Sequence, residues 1–400
     1  MPQSQALLTL NAGSSLKFAL FETDRADRRL FSGAVERIGL ETSSFRMSDT
    51  TGAPIVASTA PVRNHEQALA QVLAKIDGLA ANFPLAAVGH RVAHGGPHCD
   101  CPARVTPALM ARLEGLVHLA PLHLPANIAG IKAVGAARPD LPQIACFDTA
   151  FHKDLPEVAQ MTGLPRHFDA PEIRRYGYHG LSYEYIVSAL RTAAVDVENE
   201  RILVLHLGNG ASICAISGGK SVETTMGFST ASGLPMGSRS GDIDPGLIDY
   251  LLAQGRLDAA GLNDLLYAKS GLAGLSGISR NMADLLASPE PAASQAVAYF
   301  CYHARRHLVG LTASLGGLDR VVFTGGIGAN APQVRAAICE GLGYLGIHLD
   351  PDLNQRGASV VSPPDSRVTV EARTTDEEAM IARHVRAHAP FQGAPQKETC

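Results

Sequence analysis

Apolar and polar positions along the 400-residue chain follow two rhythms. Short apolar runs closed by Gly, Asn or Asp predict strands at 7–10, 18–21, 88–92, 144–147, 202–207, 212–216 and 321–324. Stretches of helical character intervene at 67–79, 182–191, 247–252, 295–315 and 377–388. One helix start is well marked, because Asp244 precedes Pro245 as an N-cap before a first-turn proline. The stretch 295–315 carries apolar residues on more than one face, which predicts a core helix rather than a partner groove. Strands that alternate with helices predict an α/β protein.

One pattern occurs twice. LLTLNAGSSLKFAL at 7–20 and LVLHLGNGASICAI at 203–216 both read as an apolar strand, a turn with Asn and Gly, and a second apolar strand. Two such hairpins half a chain apart point to a duplicated domain, each half offering a turn to phosphates.

Composition narrows the class. Apolar residues make up 46 % of the chain and charged residues 18 %, as in a well-packed globular protein. The formal charge is −4 with no basic run, which argues against nucleic acid or an anionic membrane as partner. Trp is absent, so base stacking on aromatic platforms is not expected either. No segment reaches the ~20 apolar residues of a membrane span. The N-terminal stretch has no export-signal pattern, and 389–400 reads as a frayed end. The seven irregularly spaced cysteines read as reduced, mostly buried thiols of a cytoplasmic protein. His94, His98, Cys99 and Cys101 lack the usual zinc spacing.

Chemistry concentrates in Gly-rich segments at strand ends. In Asn11-Ala12-Gly13-Ser14-Ser15-Leu16-Lys17, small residues let backbone N–H groups approach an anion, and Lys17 adds a point charge. Asn11 can turn an amide oxygen toward a metal-bound water. An ordinary hairpin with a solvated lysine would look the same. The turn His206-Leu207-Gly208-Asn209-Gly210 suits phosphate contact, although Asn and Gly are common at hairpin tips. The strand at 321–324 feeds Gly325-Gly326-Ile327-Gly328-Ala329-Asn330 and a helix from about Pro332, a common nucleotide geometry without the Gly-Lys-Ser/Thr of a Walker A loop. Cations and a carboxylate stand in GHRVAHGG (89–96), FDTAFH (147–152) and MGSRSGD (236–242). Fixed Arg and His side chains stabilise the charge that phosphoryl transfer spreads over three oxygens. A lone Arg or Asp is more often part of a salt bridge; it is the concentration of such residues that points to a site.

In this order, NAGSS-LK, GHRVAHGG, APLHLPAN, FDTAFH, RRYGYHG, HLGNGAS, MGSRSGDIDPG, TGGIGAN and TDEEAMIAR resemble the acetate and propionate kinase family over 7–384. The resemblance implies the actin/Hsp70/sugar-kinase fold: two ribonuclease-H-like domains around a central cleft. It places an acid-binding domain at 1–147 plus 379–400, closed by the C-terminal helix, and a nucleotide-binding domain at 148–378. It implies ATP/ADP as co-substrate, Mg2+ (or Mn2+), a short-chain carboxylate as the other substrate, and a homodimer. By matching position, Asp148 is the catalytic aspartate, and His179 and Arg239 are the transition-state stabilisers. Arg91, Ala93, Leu122, Tyr178 and Thr230 fall on the acid pocket. Lys17 falls on phosphate. The nucleotide segments are His206, Leu207, Gly208, Asn209 and Gly210; Asn281, Met282 and Ala283; and Gly326, Ile327, Gly328, Ala329 and Asn330. Asn11 and Glu377 fall on the metal.

The chain departs from the family pattern at five places. Two serines rather than three precede the Leu–Lys pair of the first turn, and a one-residue deletion in a hairpin changes register. Asn281-Met282-Ala283 replaces Asp-x-Arg, removing an arginine that would stack on adenine, so weaker or less selective nucleotide binding is expected. Ala93 stands where Val is frequent, and Thr230 where the family has Pro. Tyr178-His179-Gly180-Leu181-Ser182-Tyr183 replaces Phe-His-Gly-Thr-Ser-His, which alters the neighbours of the histidine. The activity implied is reversible in-line transfer from ATP to acetate, with propionate as an alternative acceptor. A nucleotide-binding scaffold with little turnover is the alternative from another class.

Overall fold

A computed structural model of the chain describes residues 5–13, 15–24, 28–79, 83–168 and 170–389. Ser14 of the first turn and all but the first residue of the expected frayed tail lie outside these residues. The chain divides into two compact units, one running to Phe151 and resuming at Asp376, the other His152–Thr375. These breaks lie a few residues from those expected, and they put Asp148 and Glu377 in the first unit.

The first unit is built on an eight-stranded sheet: β1 (Ala6–Ala12), β2 (Leu16–Glu22), β3 (Arg29–Glu36), β4 (Ser44–Asp49), β5 (Pro54–Thr59), β6 (Leu85–Val92), β7 (Ala103–Arg104) and β8 (Gln143–Phe147). Their order across the sheet is β5-β4-β3-β2-β1-β6-β8-β7. Strands β1, β6 and β8 run parallel, while β2 is added antiparallel to β1 and β3 antiparallel to β2. The apolar runs of β1, β2 and β6 are buried because helices cover the sheet. Helices His65–Leu79 and Leu124–Ala137 supply the apolar side chains of one core, among them Leu69, Val72, Ile76 and Val134. The C-terminal helix Glu377–His388 packs against β1, β6 and β8. It lies so close to β6 that a Cβ at Gly89 would stand 2.4 Å from Ile381 Cγ2 and 2.5 Å from Val385 Cγ2. Arg386 ties the same helix to β2 and the turn after it, donating to the carbonyls of Glu22 (2.9 Å) and Thr23 (2.6 Å).

The second unit has a five-stranded sheet in the order β11-β10-β9-β12-β13, formed by β9 (Ile202–Leu207), β10 (Ala211–Ser217), β11 (Lys220–Thr224), β12 (Arg320–Thr324) and β13 (Thr369–Ala372). Strands β10 and β11 are antiparallel additions, and β9, β12 and β13 are parallel. This repeats the topology β3-β2-β1-β6-β8 of the first unit. The duplicated hairpins of the sequence are therefore the first two strands of two equivalent sheets. The helix Pro291–Leu315 buries Phe300, Ala304, Leu308 and Leu311 in this unit's core. Asp244 caps Pro245–Ala253 as expected, accepting from Gly246 N at 2.7 Å.

Strands β3 to β5 were not anticipated, because the stretch 29–59 mixes polar residues into every run. Gly33 falls inside β3 for a packing reason. A Cβ there would stand 2.6 Å from the Phe18 ring and 2.3 Å from the Arg46 carbonyl oxygen. Cysteines 99, 146, 214, 301 and 339 are free and buried. Among the described residues no group of three or more His, Cys, Asp or Glu could hold a metal by itself, and no helix is long and apolar enough to cross a membrane.

Each unit buries a neutral histidine. His90 bonds Gln143 Oε1 at 2.8 Å, and His152 lies 2.8 Å from Ser221 Oγ and 3.0 Å from the Tyr178 carbonyl oxygen. Burial pushes the pKa of each down to about 4. The unfolded chain, with histidines near 6.5, takes up these protons first. Folded stability is therefore fully present above pH ~6.5 and falls as pH drops toward 4, by roughly 3 kcal/mol for each histidine. Urea midpoints measured from pH 7 to 4.5 should fall with acid, and His90→Asn with His152→Asn should flatten the slope. An equal slope in the double variant would assign the acid sensitivity to other groups.

Candidate active site

In the first unit the chemistry gathers beyond the carboxyl ends of parallel strands, where open α/β sheets place ligands. Asn11 is near the end of β1, Arg91 near the end of β6, and Asp148 is the first residue past β8. The Asp148 backbone N–H donates to the Val92 carbonyl at 3.0 Å, which carries the β6–β8 register one step beyond the sheet. Arg91 Nε donates to Asp148 Oδ1 at 3.0 Å and its Nη2 to Oδ2, a bidentate pair. Arg91 Nη1 donates to Asn11 Oδ1 at 3.2 Å, and Glu377 Oε2 lies 3.8 Å from Nε. Burial works against the Arg91 charge, but Asp148 and Glu377 outweigh it and hold the guanidinium above its ordinary pKa. Burial, with the neighbouring Glu377 charge, raises the Glu378 carboxyl.

Lys17 pairs with Asn11 in the β1–β2 ladder, so the two side chains share one face of the sheet. The Arg46 hydrogen bond holds the Glu36 carboxyl low, and the Lys17 charge adds a smaller contribution. The loop is fixed from outside by His65 Nε2, which donates to the Gly13 carbonyl at 2.6 Å. The hairpin between β9 and β10 has a loop of the same length, with His206 opposite Ser212 where Asn11 is opposite Lys17.

Ala93 is buried, and its N–H donates to Asn127 Oδ1 at 3.0 Å; Asn127 Nδ2 in turn donates to the Ala12 carbonyl at 2.6 Å. Asn127 thus fixes the residue after β6 to the end of β1. Leu122 is 53 % exposed in the segment before the helix Leu124–Ala137.

In the second unit His179 stands in the left-handed region at φ 61°, as the cap residue of the helix Gly180–Thr192. Its Nδ1 lies 2.8 Å from Ser212 Oγ, and its ring stacks on His206 with centroids 4.2 Å apart. Glycine at 210 leaves open the space that these groups face. A Cβ there would be 3.0 Å from His179 Nε2 and 3.6 Å from Arg239 Nη1. Arg239 Nη1 is steadied by the Thr230 carbonyl oxygen (3.2 Å) and Met236 Sδ (3.5 Å). Tyr178 is buried, and its hydroxyl donates to the Phe228 carbonyl at 2.9 Å. His152 donates from Nε2 to the Tyr178 carbonyl and so anchors the residue before the strained His179.

A cavity of about 420 Å³ adjoins the same hairpin and is lined in part by Gly208, Asn209, Asn281, Met282, Ala283, Gly326, Ile327 and Asn330. Five residues of the expected nucleotide segments, His206, Leu207, Gly210, Gly328 and Ala329, do not line it. Leu207 is wholly buried in the core, and the carbonyls of Gly328 and Ala329 accept from Arg335 Nη1 at 2.9 Å each. The Gly-rich segment is not a turn but the short helix Gly325–Asn330, and the helix expected from about Pro332 follows it as Pro332–Cys339. Gly325 makes the entry at φ 75°, where a Cβ would stand 2.5 Å from the Leu207 carbonyl oxygen.

Asn127, Ser212, Tyr183, His152 and Arg335 escaped sequence reading as functional positions. Asn127 lay within the quoted APLHLPAN and Tyr183 within an altered motif, so a signal existed for those two. Ser212 and His152 likewise fall in HLGNGAS and FDTAFH, whereas nothing local in the sequence marks Arg335 as a support of the site.

Two repeated α/β units, with cations and carboxylates gathered at strand ends beside glycine turns, define a phosphotransferase. Residues 6–383 match the acetokinase family model, and the chain belongs to that family. An acetate kinase of Rhodopseudomonas palustris is 47 % identical over 390 residues, spanning 96 % of this chain and 98 % of the relative. A propionate kinase of Citrobacter rodentium is 41 % identical over 391 residues, covering 96 % of each. Among solved structures, the Porphyromonas gingivalis acetate kinase superposes with a TM-score of 0.85 at 35 % identity. A Francisella tularensis propionate kinase gives 0.88 at 31 %; each covers 95 % of this chain and 98 % of the other.

Proposed function

We propose that this chain is an acetate kinase, which makes acetyl phosphate and ADP from acetate and ATP, reversibly, by direct in-line transfer. The observation that carries the reading is the convergence of His179 Nε2 and Arg239 Nη1 on the open side of Gly210, in the hairpin whose Gly208 and Asn209 line the cavity. A nucleotide base and ribose in that cavity would direct its phosphates along the hairpin toward those two donors. Acetate is ionised at pH 7, carboxyls titrating near ~4, so it attacks without a general base. In the second unit Arg239 and His179 then screen the charge of the transferred phosphoryl group, and in the first Asp148 orients Arg91 through the bidentate pair. Lys17, on the Asn11 face of the hairpin, serves as a phosphate contact.

The donor set fits a hard divalent cation. Asn11 and Glu377 bring amide and carboxylate oxygens to one guanidinium, and Mg2+ is usually held by one or two carboxylates plus waters and phosphates. Mg2+ (or Mn2+) held by Asn11 and Glu377 would neutralise charge on the phosphate oxygens. A cytoplasmic homodimer completes the reading.

Propionate is the second reading, and Ala93 favours it. Alanine in place of a frequent valine frees room for about one methylene, and one methylene is worth only ~1–3 kcal/mol of discrimination. A hydroxamate assay with ATP, Mg2+ and acetate, propionate or butyrate tests both readings. Acyl phosphate should form from acetate and propionate with kcat/KM within about tenfold. An acetate preference beyond ~100-fold would refute the roomier pocket. Nucleotide binding without acyl phosphate from any acid would favour the scaffold instead. With Asn281 and Ala283 in place of a charged pair, GTP should substitute for ATP in the same assay.

A further inference from the structure

His179 is not held alone. On its Nδ1 side stands Ser212 Oγ at 2.8 Å, and 2.5 Å beyond that stands the Tyr183 hydroxyl. Both Ser212 and Tyr183 are wholly buried. Tyr183 lies one helical turn past His179 on Gly180–Thr192, and Ser212 reaches in from β10, so the row joins two elements. The Tyr183 ring packs edge-on against His152, centroids 5.6 Å apart, and His152 anchors the Tyr178 carbonyl. His206, stacked on His179, is held in the same way, its Nδ1 2.8 Å from Ser182 Oγ.

The row has a direction. Burial raises the Tyr183 phenol well above 10, so it remains an O–H donor at neutral pH. At the other end, His179 Nε2 faces the space beside Arg239 that glycine leaves open. An anion in that space needs a donor from the ring, so the useful neutral tautomer carries its proton on Nε2 and accepts at Nδ1. Ser212 must then donate to Nδ1, and its lone pairs are left to accept from Tyr183. We propose that Tyr183 and Ser212 form a hydrogen-bond relay that fixes His179 as its Nε2–H tautomer, making both of them positioning residues for the transferred phosphoryl group. The Nε2–H direction and its catalytic consequence both rest on the kinase reading, whereas the spectra below read the tautomer independently of activity.

The test combines spectroscopy and kinetics. In protein labelled with 15N-histidine, long-range 1H–15N correlation spectra report the tautomer of each ring, and His179→Asn identifies the His179 signals by their loss. The wild type should show His179 as the Nε2–H form, and Tyr183→Phe, which removes a single oxygen, should show a mixture. The same variant should lower kcat about fivefold, the worth of a hydrogen bond of ~1 kcal/mol, with KM for ATP and acetate unchanged. Ser212→Ala, which removes the direct partner, should lower kcat further. A His179 that carries its proton on Nδ1 in the wild type overturns the relay, as does a Tyr183→Phe enzyme with wild-type kcat and tautomer. If the wild type makes no acyl phosphate, the kinase reading fails, and the spectra still decide the tautomer.

Discussion

Arg239→Ala should lower kcat by a factor of about 10³ while leaving KM for the carboxylate within a few fold. Removing one preorganised donor to a transition-state oxyanion costs ~2.7–4 kcal/mol. Preorganisation is visible in the loop that carries Arg239. The Gly237 N–H donates to the Asn209 carbonyl and the Met236 N–H to the Arg239 carbonyl, both at 3.0 Å. Gly271 passes beneath at φ 61°, where any Cβ would stand 2.1 Å from the Met236 carbonyl oxygen and 2.6 Å from that of Arg239. In the proposed role the guanidinium would meet developing charge with little reorganisation. Steady-state kinetics with acetate and ATP check this: a variant that raised KM and kept kcat would show uniform binding instead of transition-state stabilisation.

Arg335→Met should cost the second unit about 4 kcal/mol, lowering its melting temperature by roughly 10 °C. Arg335 is 1 % exposed, and its charge is shared among oxygens of neutral groups. Nε donates to Asn354 Oδ1 at 2.7 Å, Nη2 to the Asn354 carbonyl at 2.9 Å, and Nη1 to the carbonyls of Gly328 and Ala329. Methionine fills similar space but leaves those four acceptors unsatisfied in the interior. Because two of them belong to Gly325–Asn330, which borders the cavity, KM for ATP should rise more than KM for acetate. Thermal melts and nucleotide titrations report the two effects separately. A variant as stable as the parent would mean that the carbonyls find other partners.

The sequence was most informative where one residue type has few other uses. Paired hairpins with Asn and Gly gave the duplicated sheets, and Asp244-Pro245 gave a helix start within its own two residues. Arg91, Asp148 and Glu377 could be picked out as charged positions, but their mutual pairing could not, because 57 residues separate Arg91 from Asp148 and the third comes from the last helix. Helix Gly325–Asn330 was hidden because its glycines read as a turn. Strands β3 to β5 were hidden because a partly exposed sheet edge has little apolar signal. The relay through Ser212 was hidden because serine in a buried strand has no sequence mark of its own. Lys17 stands opposite Asn11 in the β1–β2 ladder, a pairing that the sequence alone could not fix.

The helix Glu377–His388 belongs to the first unit although roughly 200 residues of the second are inserted before it. On a translating ribosome that order has a cost in time. At roughly 5–20 residues per second, β1 to β8 wait some tens of seconds for the helix that covers them. Gly89 is meanwhile uncovered, and Arg91 and Asp148 lack Glu377. The second unit is contiguous from His152 to Thr375 and can fold first. A nascent chain that stalls before 377 would therefore carry the second unit and its cavity complete and the first unit without its last helix; on the roles proposed above, such a product should hold nucleotide and transfer nothing.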